Sequence, residues 1–151
     1  MSVADSDDRV AAAIRDVSAE VIMPRFRSLG PNDVMEKHPG DLVTIADQLA
    51  EEALAQRLQE LDADSQVVGE EAVAADHTVL ERASAGGRVW IIDPIDGTGA
   101  FARGDSRFAV MVALIDEGVT VSGWIWQPTA ERMFVAHRGR GAYCNGRLID
   151  P

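Results

Sequence analysis

Trp90-Ile91-Ile92-Asp93-Pro94-Ile95-Asp96-Gly97-Thr98, entered through Arg88-Val89, is the stretch on which the fold turns. Arg88 to Asp93 is a compact apolar run rich in β-forming residues, and it reads as a buried strand that delivers an acid at its C-terminal end. Pro94 biases Asp93 toward extended backbone. The chain must then turn, and Asp96 follows with Gly97 free to adopt positive φ or to approach a ligand closely. Two carboxylates at this spacing around a turn can converge on one point. Unpaired, they repel and raise a pKa; a divalent cation removes that penalty. Oxygen-only donors, with no Cys or His nearby, select a hard ion, Mg²⁺ before Zn²⁺. Taken alone, Asp-x-x-Asp-Gly fits better a β-turn with Asp as a cap and Gly for backbone freedom.

Downstream, Phe108 to Ile115, Val119 to Trp126 and Met133 to Ala136 follow at hairpin spacing, separated by Asp116-Glu117-Gly118 and Gln127-Pro128-Thr129. Asn145-Gly146 adds a strong turn signal. Trp124 and Trp126, two apart on one strand, point to the same face and read as core packing. Upstream the period changes. Val10, Ile14, Val17 and Val21 mark one face of a helix over Val10–Val21, with Asp5, Ser6, Asp7 and Asp8 as capping candidates and Pro24 as its end. Leu29 to Asp41, with two prolines and two glycines, reads as a mobile loop. A second helix is expected from about Thr44 to Leu61, with Ile45, Leu49, Leu54, Leu58 and Leu61 inward. Two helices followed by antiparallel strands predict an α+β fold in which two N-terminal helices pack on a mostly antiparallel sheet.

The composition bounds what such a domain can do. The chain has 151 residues, 46% hydrophobic and 26% charged, an ordinary globular mixture of a size for one domain. Its net charge of −11 argues against nucleic-acid binding and against adsorption to anionic membranes. The single cysteine, Cys144, cannot form an internal disulfide, which points to a reducing compartment. There is no apolar run of membrane-spanning length, and the opening Met1-Ser2-Val3-Ala4-Asp5-Ser6-Asp7-Asp8 is acidic where a signal peptide is basic. A soluble, cytoplasmic domain is expected. His38, His77 and His137 lack mutual ligand spacing and read as surface or loop residues; Cys144 reads as a small hydrophobe.

Two further acidic segments change the reading of the Asp93–Asp96 motif. Val67-Val68-Gly69-Glu70-Glu71 is a short apolar strand ending on two acids. Asp41-Leu42-Val43-Thr44-Ile45-Ala46-Asp47 enters the second helix, where Thr44 and Asp47 alone would make a capping box. Asp47, Glu70, Asp93 and Asp96 all lie where a regular element begins or ends, which is where a layered domain places a site.

These segments together, with Phe101, Gly104 and the later Gly139-x-Gly141-Ala142-Tyr143-x-Asn145-Gly146, resemble the inositol monophosphatase family of Mg²⁺-dependent, lithium-sensitive phosphomonoesterases. The resemblance runs in order over nearly the whole chain. It implies the first half of an α-β-α-β-α layered phosphatase fold, a small phosphorylated metabolite as partner, and a homodimer, since family members commonly pair. It implies metal ligation by Glu70, Asp93, the Ile95 carbonyl and Asp96, with Asp93 bridging two ions. Asp47 and Thr98, with Glu70 close by, would be the catalytic group that orients and deprotonates a metal-activated water for in-line attack on phosphorus. Gly97, Thr98 and Gly99 would bind the substrate phosphate through backbone N–H groups. Lys37 falls in the segment where some relatives carry a mobile loop near a third ion.

Two departures stand out. Where the family usually has a polar residue and then Asn after Gly-Thr, this chain reads Gly99-Ala100, which implies a looser turn. Members also usually carry a second half that supplies another Asp ligand and most substrate-hydroxyl contacts. This sequence reaches Asp150-Pro151 without it, so residues 1–151 are expected to form a single metal- and phosphate-binding domain of weak or no activity by itself. A metal-binding half or partner subunit that turns nothing over is therefore the alternative to a phosphomonoesterase acting on an inositol-phosphate or histidinol-phosphate type of substrate. A haloacid-dehalogenase-type site is disfavoured, because Pro94 and Ile95 separate acids that such a site spaces by one residue.

Overall fold

The computed structural model describes residues 3–150; Met1 and Ser2 of the acidic opening, and Pro151, lie outside the described residues. Helix α1 spans Val3–Val17 and continues into a π-helical turn, Ser18–Ile22, and a 3-10 turn, Met23–Arg25. The helix thus begins well before Val10, and Asp5 to Asp8 lie within its first turns instead of capping it. Pro24, expected to end or kink the helix, falls inside that 3-10 turn, one residue before the helical run ends at Arg25.

The segment expected to be a mobile loop is ordered. Strands β1 (Val34–His38) and β2 (Asp41–Thr44) form an antiparallel hairpin around Pro39-Gly40. Helix α2 (Ile45–Leu61) follows at once, and Thr44 and Asp47 close a reciprocal capping box at its start. Its buried face carries Ala46, Asp47, Ala50, Glu51, Leu54 and Leu58, while Ile45, Leu49 and Leu61 are only partly covered.

Strand β3 (Gln66–Gly69), helix α3 (Glu70–Ala75), a 3-10 segment (His77–Ser84), strand β4 (Arg88–Asp96) and helix α4 (Thr98–Ala102) follow. Then come β5 (Ala109–Asp116), β6 (Val119–Gln127), β7 (Arg132–His137), β8 (Gly141–Cys144) and β9 (Arg147–Leu148), the last two joined at Asn145-Gly146. The strands β3 to β9 form one sheet in sequence order, antiparallel except for the parallel β3–β4 pair. The α+β fold, with its mostly antiparallel sheet, is the expected one.

Alternation along the strands sorts the sheet into two faces. Trp90, Ile92, Val110, Val112, Trp124 and Met133 pack beneath Val10, Ile14, Val17, Leu54 and Leu58 of α1 and α2. Trp90 and Trp124 meet in a tilted pair, 5.9 Å between ring centroids, and the Trp90 indole donates to Ser65 Oγ at 3.0 Å. Ile91, Met111, Ile125 and Phe134 belong to the other face, which is an apolar cleft of about 470 Å³ with Asp93 among its lining residues. His137 is not a surface residue: its ring lies against Trp124, pairs with Asp7 at 2.8 Å and meets Ser122 Oγ at 2.9 Å. His38 and His77 are exposed. No helix among the described residues is long and apolar enough to cross a membrane.

Candidate metal and phosphate site

Strand register brings the acids together. Gly69 and Ile92 are partners in the parallel β3–β4 pair, so Glu70 and Asp93, one residue further on, come side by side where β3 ends. Beyond Asp93 the strand does not turn at once. Asp93 pairs with Met111 and Asp96 with Ala109, so three steps along β4 match two along β5: a bulge. Pro94, with no N–H for the ladder, sits inside it. The convergence expected from a turn is therefore achieved by a bulged strand, and the turn itself comes at Gly97.

Gly97 has φ +86, and a Cβ there would stand 2.7 Å from the Arg107 carbonyl, so both conformation and space demand glycine. Helix α4 starts immediately afterwards. Gly99-Ala100 is accommodated by backbone bonds alone: Phe101 N–H donates to Gly97 O at 3.0 Å, Arg103 N–H to Gly99 O at 3.2 Å and Asp105 N–H to Ala100 O at 2.9 Å.

Glu70, Asp93, Ile95, Asp96, Gly97, Thr98 and Gly99 line a single cleft of about 260 Å³, together with Gly40, Asp41, Leu42 and Arg103. Asp47 is fully buried behind it. Its Oδ2 accepts from the Thr44 N–H at 2.8 Å and the Thr44 hydroxyl at 2.6 Å, while Oδ1 faces the Thr98 hydroxyl at 2.9 Å. Thr98 Oγ1 is also 2.9 Å from the Ile95 carbonyl. Thr44 and Asp47 are thus at once a helix cap and part of the site. The readings of that pair as cap and as site are compatible.

Burial raises the Asp47 pKa against the opposing pull of the bonds from Thr44 and Thr98. Asp93 is pushed up to about 8, by burial first, then by Glu70, Asp96 and Asp47. Its Oδ1 is buried with no hydrogen-bond partner. A buried carboxylate oxygen without a donor is costly, and a cation is what relieves it. The donors around it are all oxygen, which fits a hard divalent ion. Among the described residues no group of three or more His, Cys, Asp or Glu side chains is drawn close enough to hold a metal ion as the side chains stand. The Lys37 ammonium instead reaches Glu70 Oε1 at 3.5 Å and Glu71 Oε1 at 3.2 Å. Burial raises Glu71 to about 7, against the pull of Lys37. Lys37 therefore belongs to strand β1 and to an ion pair, not to a mobile loop.

Two participants, Arg103 and Glu51, escape the sequence reading, and Glu71 appears there only as the second acid after its strand, with no role. Arg103 gives no pattern signal. Glu51 gives one: it lies one helical turn beyond Asp47 on the buried face of α2, an acid where an apolar residue is due.

The chain is similar to known proteins over nearly its whole length. The model of the inositol monophosphatase family matches residues 4–151. The chain is 40% identical over 146 residues to a histidinol-phosphatase of Chlorobaculum parvum, covering 95% of this chain and 52% of that protein. It is 33% identical over 138 residues to an inositol-1-monophosphatase of Bacillus subtilis, covering 91% and 49%. Among solved structures, the Thermotoga maritima IMPase superposes with a TM-score of 0.77 at 28% identity, over 94% of this chain and 53% of that one. The chain spans about half the length of the curated relatives it matches.

Proposed function

The chain belongs to the inositol monophosphatase family, and from that premise we propose that it supplies the metal- and phosphate-binding half of a Mg²⁺-dependent phosphomonoesterase. The substrate is a small phosphorylated metabolite of the inositol-phosphate or histidinol-phosphate type, in a cytoplasmic, homodimeric enzyme. Glu70, Asp93, the Ile95 carbonyl and Asp96 are the oxygen donors for the ions. When bound, divalent ions supply Lewis-acid activation of water and neutralise charge on the phosphoryl oxygens.

The observation that carries the reading is the placement of the Thr98 hydroxyl at the cleft, 2.9 Å from the buried Asp47. Thr44 occupies Oδ2 of Asp47 with two donors, which leaves Oδ1 turned to Thr98. With its own hydrogen directed at Oδ1, Thr98 Oγ1 can accept a hydrogen from a water in the cleft and orient that water. As the water loses a proton to Oγ1, the Thr98 proton passes to Asp47. Burial raises the basicity of Asp47, which favours that transfer. The first-turn amides of a helix have no intrahelical acceptor, so the N–H groups of Gly97, Thr98 and Gly99 are the proposed phosphate contacts.

A second reading, a metal-binding half that acts only with another polypeptide, is favoured by the open apolar face of the sheet around Ile91, Met111, Ile125 and Phe134. Phosphate release from a panel of small phosphomonoesters, with and without Mg²⁺ and with Asp93→Asn as control, separates the two. Mg²⁺-dependent release that the substitution abolishes supports the phosphatase. Folded protein that binds Mg²⁺ yet releases nothing supports the metal-binding half.

A further inference from the structure

Helix α3, which carries Glu70 at its first position, is six residues long, and its N-cap residue Gly69 offers no side-chain cap. A helix this short does not hold its own geometry in water. The missing cap comes from another helix. Glu51 of α2, only 7% exposed, accepts the Glu71 N–H on Oε2 at 2.7 Å and the Ala72 N–H on Oε1 at 2.9 Å. Both are charge-assisted bonds to a buried carboxylate, the strong kind. Gly69 has an ordinary φ of −104°, so its backbone does not require glycine. Its space does: a Cβ would overlap the Glu51 carboxylate.

We propose that Glu51, admitted by Gly69, is a positioning residue that clamps the start of α3 and so sets the direction in which Glu70 offers its carboxylate to a divalent cation. The inference rests on the metal-binding reading above. The buried face of α2 then serves the site twice. Asp47 holds Thr98, and one turn later Glu51 holds the segment of Glu70. Lys37 acts on the other side of the same segment, pairing with the Glu70 and Glu71 side chains, whereas Glu51 grips only backbone.

The test is a Mn²⁺ titration read by electron paramagnetic resonance, together with amide hydrogen exchange, on the wild-type chain and its Glu51→Gln, Gly69→Ala, Glu51→Gln/Gly69→Ala and Leu54→Ala variants. Glu51→Gln is expected to weaken Mn²⁺ binding about 10- to 100-fold, the usual effect of losing a residue that orients a ligand. It should also speed exchange at the Glu71 and Ala72 amides. Gly69→Ala should reproduce both effects with the Glu51 carboxylate intact. The double variant should be no weaker than either single one, because both break the same clamp. Leu54→Ala, which removes a fully buried side chain of the same helix, should lower the melting temperature and leave Mn²⁺ affinity unchanged. Wild-type affinity in Glu51→Gln, or an equal loss in Leu54→Ala, would overturn the proposal. Should Glu51→Gln fail to fold, Gly69→Ala against Leu54→Ala decides. Wild-type chain that binds Mn²⁺ but releases no phosphate counts against the phosphatase reading alone, and the variants then still decide for or against Glu51.

Discussion

The Thr98 hydroxyl and Oδ1 of Asp47 stand 2.9 Å apart, although 51 positions separate the two residues in the chain. One belongs to the first turn of α4 and the other to the first turn of α2. Their contact ties the start of α2 to the turn that follows β4. Asp47→Asn keeps the shape and removes the proton acceptor. It is expected to lower the rate of Mg²⁺-dependent phosphate release about 10²- to 10⁴-fold, the range for a general base. Thr98→Ala should fall into the same range and Thr98→Ser should keep most of the rate. A Thr98→Ala variant as fast as Thr98→Ser would remove the hydroxyl from the proton path.

Asp93 makes the metal-free protein sensitive to alkali. Its pKa rises on folding from an ordinary 3.8 to about 8. Between those values the folded state holds a proton that the unfolded state has lost, so stability falls as pH rises through the window and levels off above it. Urea unfolding in a chelating buffer at pH 5 and pH 8 is expected to show the lower midpoint at pH 8. Asp93→Asn should flatten that difference, leaving the part with the same sign that Glu71, raised to about 7, contributes. Saturating Mg²⁺ should stabilise the wild type more at pH 8 than at pH 5, because only about half of the Asp93 carboxyls then still hold a proton for the ion to displace, against nearly all of them at pH 5. A wild type equally stable at both pH values without metal would contradict this account.

Thr44 stabilises α2 and holds Asp47 in the same set of bonds. Its hydroxyl donates to Asp47 Oδ2 at 2.6 Å, and its Oγ1 faces the Asp47 N–H at 3.4 Å. Thr44→Ala removes the cap and leaves a buried carboxylate one donor short, a loss of about 1–3 kcal/mol in urea unfolding. Thr44→Ser should recover most of it. Recovery of the phosphate-release rate should follow recovery of stability.

Gly97→Ala tests the turn between β4 and α4. A left-handed backbone costs a non-glycine residue about 1–2 kcal/mol, and the new methyl would also press on the Arg107 carbonyl. The expected result is a lower melting temperature together with weaker Mn²⁺ binding, since Ile95 and Asp96 directly precede the displaced residue. The matched substitution Gly118→Ala, also at positive φ but with open space around the added carbon, should lower stability alone.

Much of the site was legible because it is local. Asp93-Pro94-Ile95-Asp96-Gly97-Thr98 fixes two acids, a carbonyl, a hydroxyl and a turn within six consecutive residues, and Thr44-x-x-Asp47 is a capping box in any helix. Hydrophobic periodicity gave the helices and the antiparallel strands, because half-buried elements write their exposure into the sequence at periods near 3.6 and 2. The errors fall where periodicity is silent. The start of α1 lies ahead of its apolar stripe, because its first turns are acidic. The β1–β2 hairpin reads as a loop in the sequence, because prolines and glycines surround it and its burial pattern is irregular.

The relations between distant segments arise only on folding. The parallel register of β3 on β4 sets Glu70 beside Asp93, and no pattern within either strand specifies that pairing. The bulge between Asp93 and Asp96 depends on what β5 offers opposite them. Lys37 meets Glu70 and Glu71 only because a hairpin carries it there. Glu51, the second acid after Asp47 on the buried face of α2, acquires its meaning from two N–H groups about twenty residues away. Backbone propensity and side-chain chemistry act over a few residues and can be read from a line of sequence. Register, burial and the pKa of a carboxylate depend on which segments share space, and the folded chain alone determines that.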